Sequence, residues 1–170
     1  MIWNWGPDWL WDPELKVDFN ALHATVDCIL LSRKMAEEGF IAHWTAVAER
    51  PEPQYEFARR ITASRKVVFT KTLSESAWQN TSLATENLVD DVSRLKNQSG
   101  GDMIAYGGAS FASSLINARL IDEYHFLINP TVVGGGLTIF REPASQLNLK
   151  LVRAKYYSCG MAGLVYKSQH

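Results

Sequence analysis

Short uninterrupted apolar runs alternate along this chain with longer stretches in which apolar residues return every three or four positions. Val26–Leu31, Lys66–Thr70 and Met103–Tyr106 are runs of the first kind, each closed by polar or glycine residues. Such runs predict strands covered on both faces. Asp12-Pro13-Glu14 carries a cap, a first-position proline and a first-turn acid, and Phe19, Leu22, His23 and Val26 follow at helical spacing. Further helices are expected over 34–49, ending before Pro51-Glu52-Pro53, and over 55–61. Leu88, Val92 and Leu95 mark another, with Asp90 and Asp91 near its positive end and Ser99-Gly100-Gly101 as its stop. Phe111, Leu115 and Ala118 share one more helical face. After Asp122 the rhythm changes. A strand over 124–128 stops at Asn129-Pro130, and strands near 147–157 and 162–167 flank Cys159-Gly160 as a hairpin. The pattern predicts an α/β protein with a mostly parallel central sheet and an antiparallel C-terminal hairpin, read as a single domain over 1–170.

Composition narrows the function classes. The chain has 170 residues, 46% of them hydrophobic and 21% charged, which suits one globular domain with a core. Its 17 basic and 18 acidic residues give a net charge of -1, against the basic face of a nucleic-acid binder. No apolar stretch approaches the ~20 residues of a membrane span. Met1 to Asp8 lacks the basic start and apolar run of a signal peptide, so a cytoplasmic location is expected. Cys28 and Cys159 read as reduced thiols. His23, His43, His125 and His170 are scattered without a cysteine cluster, so no metal site is expected.

The candidate chemistry lies where the apolar runs end. In an open α/β sheet, ligands sit beyond the carboxyl ends of the parallel strands. Here those ends carry Ser32-Arg33, Thr70-Lys71-Thr72 and Gly107-Gly108-Ala109-Ser110. Glycines admit close backbone approach, and a helix opening at Ala109 aims its positive pole at an anion. Arg33 suits a phosphate as a fork, Lys71 as a point charge, and Thr70 and Thr72 add hydroxyl donors. Each signal alone is also that of a tight turn or a solvated charge; their order and spacing carry the weight. No GxGxxG follows a first strand, so the Rossmann fingerprint is absent. Gly134-Gly135-Gly136 fits either a bulge or a loop near a ligand.

The segment Asp102 to Phe111, continuing to Leu120-Ile121-Asp122-Glu123-Tyr124, resembles the family that joins bacterial dihydrofolate reductases to the reductase domain of riboflavin biosynthesis. Asn129 to Gly136 with Phe140 is similar to that domain's hallmark, and Lys66 to Leu73 with Trp78-Gln79-Asn80-Thr81 to its stand-alone relatives. The resemblance implies a three-layer dihydrofolate-reductase-like fold and an NADP(H)-dependent reductase, dimeric in the riboflavin branch. By matching positions, Gly107, Gly108, Ala109, Ser110 and Phe111 would hold the pyrophosphate and its ribose. Thr70, Lys71 and Thr72 would face the 2′-phosphate, and Ser32 and Arg33 the phosphates from the other side. Asp122-Glu123 matches the family's acidic pair, with Glu123 as the catalytic candidate; a surface acid is the alternative. The implied partner is a small heterocycle, a ribosylaminopyrimidine or a pterin.

Two departures from that family stand out. Met35 occupies the place of a threonine hydroxyl after the strand ending at Leu31. The sequence also opens inside the family's tryptophan-bearing loop, so the relatives' first strand is not represented. Trp3, Trp5, Trp9 and Trp11 fit two uses: Trp9 and Trp11 as a stacking surface for the substrate, or the group as an apolar plug or dimer contact. Dihydrofolate reduction is one alternative function, although Asp18 is the sole nearby counterpart of a folate-binding acid. A non-catalytic dimeric ligand-binding relative is the other.

Overall fold

The computed structural model describes residues 12–52, 55–132, 134–141 and 146–169. Two compact units divide the chain, one built from Asn20–Ala112 and one from Met1–Phe19 with Ser113–His170. The fold is mixed α/β, with a parallel four-stranded sheet in the first unit and an antiparallel three-stranded sheet in the second.

In the unit 20–112 the strand order is β3-β2-β1-β4, with β1 Val26–Ser32, β2 Arg65–Phe69, β3 Thr81–Ala84 and β4 Asp102–Tyr106. β1 pairs in parallel with β2 on one side and β4 on the other. This central position explains its composition. Cys28, Ile29, Leu30 and Leu31 are all buried, so no polar face alternates along the strand. Ile29, Leu31 and Val68 of the sheet pack with Met35, Ala36, Phe40, Ile41 and Ile61 of the helices in one core.

The helix expected over 34–49 is two helices, α2 Arg33–Glu37 and α3 Phe40–Ala48. Gly39 separates them with φ of 105°, a left-handed conformation that ends one helix and that side-chain-bearing residues adopt only under strain. α4, Glu56–Ala63, ends at an unusual cap. Lys66 is buried, and its ammonium donates to the carbonyls of Thr62 and Ser64, both at 2.8 Å. Burial pushes the Lys66 amine below its ordinary value. Strand β3 is absent from the sequence-based expectation. Its four residues, Thr-Ser-Leu-Ala, form no apolar run, and the pairing of Lys66 to Phe69 with Thr81 to Ala84 creates it. α5 spans Leu88–Lys96 and is capped by the Asn87 side chain, which accepts from Val89 N–H at 2.8 Å.

In the other unit the order is β5-β7-β6, with β5 Glu123–Ile128, β6 Leu149–Tyr156 and β7 Ala162–Ser168. β6 and β7 form the expected hairpin, with Gly160 at φ of 86° in its turn. The antiparallel strands therefore make a sheet of their own, with β7 central. Helix α1, Pro13–His23, begins as expected at Asp12, whose Oδ1 accepts from Glu14 N–H at 2.7 Å and Leu15 N–H at 3.3 Å. α6 spans Ala109–Asn117. Among the described residues no helix is long and apolar enough to cross a membrane.

Candidate functional site

The register of the parallel sheet aligns all four strand ends. Ser32 pairs with Phe69, Leu31 with Tyr106, and Phe69 with Ala84. At ~4.8 Å per strand the row of ends is roughly 14 Å wide, room for an extended ligand. Ser32-Arg33, Thr70-Lys71-Thr72 and Gly107 to Phe111 thus leave one edge of one sheet, as the sequence predicts. β3 adds Thr85, Glu86 and Asn87 to that edge.

Ser32, Arg33, Thr70 and Lys71 at the edge already have local partners. Ser32 caps α2, its Oγ accepting from Met35 N–H at 3.3 Å. Met35 itself is buried in the core, so it packs the sheet, and the side-chain oxygen at this corner belongs to Ser32. Arg33 Nη1 lies 2.5 Å from Glu37 Oε2 on the same helical face. Thr70 is buried, and its Oγ1 accepts from the N–H groups of Thr72 and Leu73, both at 3.1 Å, which folds the loop after β2 into a tight turn. Lys71 Nζ donates to the Thr85 carbonyl at 3.0 Å and to the Glu86 carbonyl, tying the ends of β2 and β3 together.

At β4 the chain passes through Gly107-Gly108 into α6, where Ala112 N–H is the first to bond back, to Gly108 O at 3.1 Å. The first turn of α6 therefore sets the helix's positive pole at the edge. Gly107 has a further reason to lack a side chain. A Cβ there would stand 2.4 Å from Phe111 Cδ1 and 3.0 Å from Phe111 Cβ. Phe111 in turn packs on Phe69, with ring centroids 5.4 Å apart. Tyr106, the last residue of β4, shares a 2.6 Å hydrogen bond with buried His23, and burial pushes its phenol far above the ordinary value.

The remaining expected residues lie elsewhere. Glu123 opens β5 in the antiparallel unit, 2.6 Å from His125 Nε2 and 3.8 Å from Lys167 Nζ. Trp9 and Trp11 fall outside the described residues. Asp18 Oδ2 accepts from Lys155 Nζ at 2.9 Å and from the Tyr157 hydroxyl at 2.8 Å. The Lys155 ammonium foremost, then Tyr157, holds the Asp18 carboxyl below its ordinary range against the opposing effect of burial.

Sequence reasoning misses the corner formed by Glu86, Asp91 and Arg94. Asp91 is almost completely buried; its Oδ2 accepts from Glu86 N–H at 3.1 Å and its Oδ1 pairs with Arg94 Nη2. Arg94 Nη1 reaches Glu86 Oε2 at 3.3 Å. Because β3 forms no apolar run in the sequence, nothing there marks Thr85-Glu86 as following a strand end.

The parallel four-stranded sheet with its separate antiparallel sheet is the dihydrofolate-reductase-like fold of the solved structures it matches. The match to the RibD C-terminal domain over residues 4–162 makes the family plain, and the chain belongs to it. It is 31% identical over 164 residues to the uncharacterized protein YyaP of Bacillus subtilis (strain 168), covering 96% of this chain and 85% of that one. Among solved structures, one from Shewanella sp. PV-4 assigned to riboflavin biosynthesis superposes with a TM-score of 0.70 at 18% identity, over 97% of this chain and 84% of that one. The Thermotoga maritima diaminohydroxyphosphoribosylaminopyrimidine deaminase/5-amino-6-(5-phosphoribosylamino)uracil reductase superposes with a TM-score of 0.63 at 11% identity, over 95% of this chain. The match spans 50% of that longer protein.

Proposed function

We propose that this chain is an NADPH-dependent reductase of a small heterocycle of the ribosylaminopyrimidine kind, acting in the cytoplasm as a homodimer. One observation carries the reading: four strand ends in register place Ser32, Arg33, Thr70, Lys71, Thr72 and the Gly107-Gly108 helix start along a single edge. The residues present fit the cofactor. The first turn of α6 suits a pyrophosphate, because helix N-termini favour anions. The turn of Thr70 to Thr72 with Lys71 suits the 2′-phosphate that separates NADPH from NADH. When bound, the nicotinamide supplies the hydride; the protein's part is orientation and electrostatics. Membership of the RibD C-terminal family and the uracil reductase named among its solved relatives support the substrate class. Both cysteines are free, in keeping with a reducing compartment.

Asp18 argues against the folate alternative, since Lys155 and Tyr157 already satisfy its carboxylate. The homodimer is supported by an apolar face on the three-stranded sheet, with Phe126, Ile128, Leu164 and Tyr166 on it.

Isothermal titration of the purified protein with NADPH and with NADH tests the reading. Micromolar NADPH binding and much weaker NADH binding are expected, and Lys71→Ala should lose most of the preference. A folded protein that binds neither nucleotide overturns the catalytic reading and leaves a ligand-binding role.

A further inference from the structure

Two cations at the outer corner of the strand-end row are held by the same residue. Lys71 Nζ donates to the backbone carbonyl of Glu86, and Arg94 Nη1 pairs with the carboxylate of Glu86 at 3.3 Å. Arg94 does not reach this place by chance of a surface pairing. Asp91, a single turn earlier on α5 and 1% exposed, takes Arg94 Nη2 on one oxygen and Glu86 N–H on the other. The buried carboxylate therefore fixes both the guanidinium and the backbone from which Glu86 projects. The Glu86 side chain itself is 66% exposed, more than Arg94 or Asp91. An exposed carboxylate bridging to a half-exposed guanidinium contributes little stability, and water can replace it readily.

We propose that Arg94 is the second cation of the 2′-phosphate subsite, and that Glu86 is an internal anion occupying its place until a phosphate arrives. This inference rests on the NADPH reading above and names what sets the cofactor preference. With Glu86 turned into solvent, Arg94 Nη1 is released at the corner where Lys71 is tied to the Glu86 carbonyl. Arg94 keeps its orientation there because Asp91 continues to hold Nη2. A guanidinium so fixed offers its remaining donors to phosphate oxygens without a large ordering cost. The carboxylate of Glu86 would otherwise compete as a receptor for a ribose hydroxyl, the feature that favours NADH in other dinucleotide sites. Turned into solvent when the phosphate takes Arg94, it no longer competes.

Titration calorimetry with NADPH and NADH on wild type, Arg94→Ala, Arg94→Lys and Glu86→Gln tests the proposal. Arg94→Ala should weaken NADPH about ten- to a hundredfold, the scale of lost hydrogen bonds to a charged group, and change NADH binding less than about twofold. Arg94→Lys keeps the charge near Asp91 and should recover part of the loss. Glu86→Gln removes the competing anion and should tighten NADPH by about threefold while leaving NADH weaker or unchanged. The NADH titration separates a lost phosphate contact from a general distortion of α5, which would weaken both nucleotides alike. A wild-type preference for NADPH that survives Arg94→Ala overturns this subsite and leaves the reductase reading standing. A wild type that binds neither nucleotide, or both equally, overturns the reading and the subsite together.

Discussion

At the scale of single residues, the edge is built more tightly than its composition suggests. Gly107 shows this best. Its place before a helix marks it for phosphate approach, yet the structure also requires it for Phe111, whose ring would lie 2.4 Å from any Cβ at position 107. Phe111 Cβ, fixed by the backbone of α6, would lie at 3.0 Å, so turning the ring relieves only part of the overlap. Gly107→Ala should therefore destabilise the protein by about 1–3 kcal/mol, the range for overpacking, in urea unfolding. Phe111→Ala alone loses the contact with Phe69, and the double variant should cost less than the sum of the two, because the clash goes with the ring. A Gly107→Ala protein as stable as wild type would return the glycine to a purely ligand-facing role. Met35 makes the complementary point. The sequence alone reads it as a missing hydroxyl, and its burial beside Ile29 and Leu31 shows a residue selected for the core. Chain order reveals which residue stands at a strand end, but not whether its side chain faces the ligand or the sheet.

At the scale of elements, the long apolar strands and capped helices were legible, and the short or interrupted ones were not. β1 and β2 declare themselves through the unbroken apolar runs Cys28–Leu31 and Val67–Phe69, buried at all but the last of these positions. β3 does not, since it borrows its register from β2, and with it Glu86 and Arg94 escaped notice. Gly39 splits one expected helix because a lone glycine in a helical pattern does not reveal its φ. The attachment of α1 is similarly hidden. Asp12 caps the helix with one oxygen and accepts from Ser158 and from Cys159 N–H with the other, while Asp18 takes Lys155 and Tyr157. Two acids on α1 thus clamp the β6–β7 hairpin. Both carboxyls lie below their ordinary 3.8, Asp12 chiefly through the Ser158 hydroxyl and Asp18 chiefly through Lys155. The folded state therefore binds fewer protons than the unfolded chain near that value, so the clamp stabilises above pH 3.8 and weakens as the pH falls through the folded values. Melting temperatures measured from about pH 5 to about pH 3 should fall steeply for wild type and less steeply for Asp18→Asn, which has already lost that share. Parallel curves for the two proteins would show that the Lys155 pairing does not contribute to folding.

At the scale of the whole molecule, the three-stranded sheet carries an apolar face that is open among the described residues. Phe126, Ile128, Phe140, Leu149, Leu164 and Tyr166 line an open hollow of about 650 Å³ on it. Ile128, Leu151 and Val152 are about half exposed, and Tyr156 is 87% exposed. Single apolar residues at a surface mean little, but a contiguous group across all three strands marks an interaction site. β6, at the margin of the order β5-β7-β6, adds Leu149, Leu151 and Tyr156 to this face, while Lys150, Arg153 and Lys155 charge the strand and disfavour pairing along its edge. A second copy offers the same apolar face. Light scattering on the purified protein at tens of micromolar should therefore give twice the 19.1 kDa chain mass. Leu151→Arg places a charge in the middle of the patch and should return the mass to that of one chain. NADPH affinity in that variant shows whether the strand-end row needs the second copy: unchanged affinity makes each chain a complete nucleotide site. A wild-type mass of one chain would leave the apolar face to another partner, whereas a dimer indifferent to Leu151→Arg would move the contact off β6.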